Sequence, residues 1–111
     1  MARIALLAAL VFAGLGCGAD PCADTSCPND TTKQTSSQYN DCVSRHNADK
    51  NKTCNQESVA LEICAGQSTV CNSAGRTDGS ATLSKYNSSC RAAQDAVTCC
   101  ALAAVGFGTC K

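Results

Sequence analysis

Apolar residues and cysteines recur in this chain at intervals of three and four, the repeat that gathers side chains on one face of an α-helix. The cleanest run is Leu83, Tyr86, Cys90, Ala93, Val97 and Cys100. This 3-4-3-4-3 seam predicts one continuous helix of about five turns. Ser80 or Thr82 is placed to cap it, Gly106 and Gly108 end it, and Cys110 ties down the tail. An earlier helix is expected from Lys33, where Tyr39, Cys42 and His46 repeat at three and four behind Thr31 or Thr32 as N-cap. Asn47 to Asn55 is polar and reads as a turn. The middle helix starts near Asn55 as N-cap, with Glu57 in its first turn. It carries Leu61, Cys64 and Cys71 on one stripe, with Ile63 and Val70 beside it. Asn72 to Ser80 is a loop punctuated by Gly75 and Gly79. Alternation at period two is too weak for a β-sandwich. The expected fold is all-α, a small helical bundle or hairpin of two to three helices behind an irregular N-terminal lead-in.

The first residues follow a different pattern. Arg3 supplies a positive start, Ile4 to Phe12 is uninterrupted and apolar, and Ala13, Gly14, Leu15 and Gly16 break the run with mostly small residues. That order is the layout of a cleaved secretory signal. The run is far shorter than the roughly 20 residues that a spanning helix needs. The chain therefore divides into a signal peptide over 1–16, an irregular tether over 17–32 and a disulfide-rich helical domain over 33–111.

The segment ending in Cys17 resembles the signal of bacterial lipoproteins. Gly16 before Cys17 fits that family, while Gly14 and Leu15 stand one place out of its preferred order of Leu and then a small residue. The resemblance implies that Cys17 becomes the first mature residue and the lipid-attachment site. Gly18, in place of the Asp that retains such proteins in the inner membrane, implies an outer-membrane anchor. Ordinary cleavage after Ala19 is the alternative, and it leaves an exported chain that is periplasmic or extracellular.

The chain has 11 cysteines in 111 residues. Removing Cys17 from the thiol pool, by lipid or by cleavage, leaves an even set: Cys22, Cys27, Cys42, Cys54, Cys64, Cys71, Cys90, Cys99, Cys100 and Cys110. All ten are expected in disulfides. Cys54 and Cys64 are separated by nine residues, and so are Cys90 and Cys100. This pattern resembles the twin Cys-x9-Cys helical hairpin family, although the stretch from Cys64 to Cys90 is longer than that family's connection. The resemblance implies two antiparallel helices joined by Cys54–Cys100 and Cys64–Cys90. The remaining pairings stay open, because ten cysteines admit several hundred arrangements.

Composition supports a scaffold held by sulfur. There is no Trp, aromatic residues make up 4%, and large aliphatic residues are few. Formal net charge is zero, with the basic residues scattered, so nucleic-acid binding has no electrostatic support. Metal binding would want Cys-x2–4-Cys pairs with histidines. The chain has only Cys17-x4-Cys22-x4-Cys27 and a single histidine, His46. Redox catalysis lacks its Cys-x-x-Cys, and Cys99-Cys100 is a vicinal pair whose members are expected to bond to different helices. His46, near the helix-spaced Asp41, Arg45 and Asp49, is a candidate general base, but it reads better as a solvated or half-buried histidine closing its helix. Glu57 and Glu62 are not spaced to align, and no phosphate loop or nucleophile elbow occurs. The sequons at Asn29, Asn51 and Asn87 read as composition.

The expected function is non-enzymatic: an exported, lipid-anchored, cysteine-rich protein with a binding or structural role at the cell envelope. Its partners would be the membrane, through Cys17, and a protein or envelope component. No cofactor or metal is called for. The alternatives are a freely secreted toxin, inhibitor or effector, and a thiol metal-binding protein.

Overall fold

The computed structural model describes residues 19–107. Among them are four helices, α1 (Ser36–Asp49), α2 (Asn55–Gln67), α3 (Gly79–Ser89) and α4 (Arg91–Ala104). Among the described residues the only β pairing is an isolated antiparallel bridge between Cys71 and Thr77. The all-α expectation holds, with four helices where two or three were expected.

The extra helix comes from a break at Cys90. The long seam is real, but Cys90 adopts φ −103° and ψ 10°, outside the helical well. Its amide still donates to Tyr86 and its carbonyl still accepts from Gln94, so one ladder passes through a bend. Cys90 is wholly buried and bonded to Cys64, which holds its backbone at the junction. A 3-4 repeat describes two consecutive helices as well as one.

Three caps also differ from expectation. α1 is capped by Thr35, not Thr31 or Thr32: its side chain accepts from the Gln38 amide while the Gln38 side chain accepts from the Thr35 amide. α3 is capped by Asp78, whose carboxylate accepts from the Ala81 amide at 3.0 Å. Thr82 instead accepts from the Val70 amide, and so joins the loop to α3. The cap of α2 is Cys54, in the left-handed region at φ 65°, with Asn55 as the first helical residue. A non-glycine residue there costs roughly 1–2 kcal/mol, and the bridge from Cys54 to Cys100 holds it in place. At the far end of α4, Gly106 at φ 85° and the amides of Gly106 and Phe107 return to Ala103 and Leu102 in a Schellman motif.

α2 and α4 form the main helix pair, with α3 packed against both. Cys54–Cys100 and Cys64–Cys90 clamp the α2–α4 pair at its two ends, which makes the helices antiparallel. This is the pairing implied by the twin Cys-x9-Cys pattern. None of the four helices contains a buried residue. The buried side chains among the described residues are Cys22, Cys27, Ser68 and Cys90, all at helix ends or in irregular backbone. Val59, Leu61, Ile63, Val70, Tyr86 and Val97 are only half-buried around them. The interior is therefore largely sulfur.

Residues 20–34 are irregular, and they are built into this domain. Cys22 bonds to Cys42 on α1, and Cys27 bonds to Cys71. Asp30 accepts from the amides of Cys27 and Thr77 and from the Thr77 hydroxyl. Asn29 bonds through its own amide to Gly75 and through its side chain to Ala74. The 72–78 loop thus clasps the lead-in, and Gly75 at φ 74° permits the approach. A Cβ there would lie 2.6 Å from Nδ2 of the Asn29 side chain.

Candidate functional site

The expected site residues fall into three groups. Cys17 and Cys110 lie outside the described residues. Eight of the remaining cysteines pair as Cys22–Cys42, Cys27–Cys71, Cys54–Cys100 and Cys64–Cys90, each with Cα atoms 5.7 Å apart. Cys99 is disulfide-bonded as well. The vicinal residues Cys99 and Cys100 thus do not form a ring with each other, because Cys100 is joined to Cys54.

A polar cleft of about 160 Å³ opens between α1 and α2. His46, four residues after Cys42 on α1, reaches across it to α2, where its Nε2 lies 2.8 Å from Glu62 Oε2. Protonated, His46 forms an ion pair there. The sequence places Asp41, Arg45 and Asp49 near His46, yet its partner comes from another helix. Periodicity within one helix carries no signal for such a pairing. Lys52 closes the same cleft by pairing with Asp49 at 2.7 Å, and this bond with Lys52 holds the Asp49 carboxyl below the usual carboxylate range. Ser58 lines the cleft, but among the described residues no hydroxyl hydrogen-bonds to His46. The cleft combines the His46–Glu62 and Lys52–Asp49 contacts with Arg45, which lines it beside them.

Two clusters place cysteine sulfurs near further ligand atoms: Cys22 and Cys42 with His46, and Cys54 and Cys100 with Glu57. In each, both sulfurs belong to one disulfide. Metals bind the thiolate, so with the disulfides intact these clusters offer a metal only His46 or Glu57.

The lead-in carries the clearest electrostatic signature. Asp20 is held below the usual carboxylate range by the Cys22 amide and the Tyr39 hydroxyl, and Asp24 by the amide and hydroxyl of Ser26. Asp30 is lowered by the hydroxyl and amide of Thr77 and the amide of Cys27. The Tyr39 hydroxyl donates to Asp20 at 2.7 Å, and that bond pushes its own titration up. Comparison with known proteins places the chain in no family. No family model, no curated protein and no solved structure matches it.

Apolar surface gathers elsewhere. Leu102, Val105 and Phe107 are exposed at the end of α4, Val105 by 67% and Phe107 by 72%. Leu83 is exposed beside a shallow depression that it shares with Ala65, Thr82 and Tyr86. No helix of the described residues is long and apolar enough to cross a membrane.

Proposed function

We propose that this chain is an exported, lipid-anchored module with a non-enzymatic binding or structural role at the cell envelope. The observation that carries the reading is the state of the cysteines. Four disulfides among the described residues supply most of the buried side chains, which suits a protein that matures in an oxidising compartment. The N-terminal signal pattern supports the anchor at Cys17, and the odd cysteine count supports the removal of Cys17 from the thiol pool, by lipid or by cleavage. In a bacterial host, Gly18 favours the outer membrane. The bonded cysteines and the paired side chains of the α1–α2 cleft favour a scaffold that presents surface over one that turns over substrate.

Fractionation of the native host tests the anchor. The wild-type chain is expected in the membrane pellet, and Cys17→Ser in the soluble fraction. Wild-type protein free in the medium would replace this reading with the second one, a secreted toxin, inhibitor or effector cleaved after Ala19. The slipped order of Gly14 and Leu15 is the observation that keeps the second reading in view.

A further inference from the structure

Residues 17–32 look like a spacer in sequence, but most of that stretch is fastened down. Asp20 accepts from the Cys22 amide at 2.8 Å and from the Tyr39 hydroxyl at 2.7 Å. The Ala23 amide returns to the Asp20 carbonyl at 3.2 Å. Cys22 is 3% exposed and bonded to Cys42, and its carbonyl accepts from the Gln34 side chain. From Asp20 onward the chain belongs to the domain. Only Gly18 separates Cys17 from Ala19. Two steps of fully extended chain span about 7 Å, and the polar layer of a bilayer is itself about 5–7 Å deep on each side.

We infer that the lead-in around Ala19, Pro21 and Ala23 rests directly on the headgroups of the membrane that holds the anchor. The inference depends on the lipid-anchor reading above. With so little chain between acyl group and fold, the domain cannot stand off from the bilayer, and its orientation is set by the face next to Ala19. The chemistry of that face selects the headgroup. The surface beside Ala19 is lined by the carboxylates of Asp20 and Glu62 and by no Lys or Arg. Asp20, like any exposed carboxylate, is ionised at neutral pH. Such a face suits the ammonium ends of zwitterionic lipids and is repelled by an anionic surface. A cavity of about 220 Å³ opens beside Ala19, where Pro21, Ala23, Ile63 and Gly66 offer the boundary layer apolar contact between the polar lining residues. The exposed end of α4 lies elsewhere. Cys100 is bonded to Cys54 at the start of α2, and Gly66 lies twelve residues along that helix, roughly 18 Å away. Leu102 and Val105 follow Cys100 and are left clear of the lead-in.

The chain has no Trp, so a single introduced Trp reports its own surroundings. Gln67→Trp and Ala23→Trp place the reporter at exposed positions lining the cavity, and Val105→Trp places it at the end of α4. Each full-length chain is purified with its acyl group from the native host and reconstituted into phosphatidylcholine–phosphatidylethanolamine vesicles carrying a nitroxide on the headgroup. Quenching is expected to be severalfold stronger at 67 and 23 than at 105. A flexible Gly-Ser segment inserted between Gly18 and Ala19 should bring all three to the same low level. Equal quenching at the three sites of an acylated chain overturns the inference and leaves the anchor standing, as does strong quenching that survives the insertion. A chain without the acyl-glyceryl mass refutes the anchor itself, so the two failures are told apart.

Discussion

Ser68 Oγ lies 3.3 Å from Cys90 Sγ, and both side chains are almost wholly out of solvent. The same hydroxyl bonds to the Cys64 carbonyl at 2.8 Å, at the end of α2. One residue thus satisfies a helix terminus and packs on the disulfide that joins α2 to the α3–α4 junction. This is as near as the molecule comes to a conventional core.

The two clamps on the α2–α4 pair should therefore differ in the opposite sense to their loop lengths. Cys54–Cys100 closes a separation of 46 residues and Cys64–Cys90 one of 26. Chain entropy alone assigns them about 4 and about 3.5 kcal/mol. Cys90 is fully buried, however, while Cys54 and Cys100 are half-buried. The double replacement Cys64→Ala with Cys90→Ala is expected to lower the urea midpoint more than Cys54→Ala with Cys100→Ala. Equal midpoints, or the reverse order, would mean that buried sulfur adds little beyond the cross-link.

A second test concerns the seam between lead-in and helix. A Cβ on Gly66 would lie 2.8 Å from Thr25 Cγ2, and the β-branched Thr25 has little freedom to turn away. Gly66→Ala alone should destabilise, although Ala is the better helix former by about 1 kcal/mol. In a Thr25→Ser background, which deletes the obstructing methyl, the same substitution should become stabilising by up to that amount. Urea titrations of the four proteins in the cycle read the coupling directly.

Acid should loosen the clasp between the lead-in and the 72–78 loop. Asp30 titrates below the usual carboxylate range because its charged form accepts from the Thr77 hydroxyl and amide and from the Cys27 amide. A carboxylate lowered on folding contributes stability that is fully present above its unfolded value, near pH 4. That stability is lost as pH falls through the folded value. Thermal midpoints should hold from neutrality to about pH 4 and then decline, with a shallower decline in Asp30→Asn. Parallel curves for the two proteins would show that Asp30 gains nothing from its partners.

The helices and the α2–α4 pairing were legible because they leave periodic marks. Leu83 to Cys100 repeats at three and four, and the two Cys-x9-Cys spacings each set a pair of sulfurs near one face of a helix. The break at Cys90 leaves no such mark, since its cause is a tertiary bond to Cys64. Thr35 and Asp78 were missed as caps because this chain is rich in Ser, Thr, Asn and Asp, and several neighbours offer similar side chains. The clasp of Asp30 and Asn29 on the 72–78 loop spans more than forty residues through side chain to backbone bonds. Nothing in local sequence announces it; Cys22 and Cys27 mark the lead-in as pinned, but not the loop that it is fastened to. The His46–Glu62 pair was hidden for the same reason.

The most direct test of the central claim is the intact mass of the protein from its native host, with thiols alkylated before and after reduction. The account predicts a chain beginning at Cys17 with an acyl-glyceryl increment. None of the ten later cysteines should be modified before reduction and all ten should be modified afterwards. A chain beginning at Asp20 without lipid, or cysteines that alkylate in the native state, would contradict it.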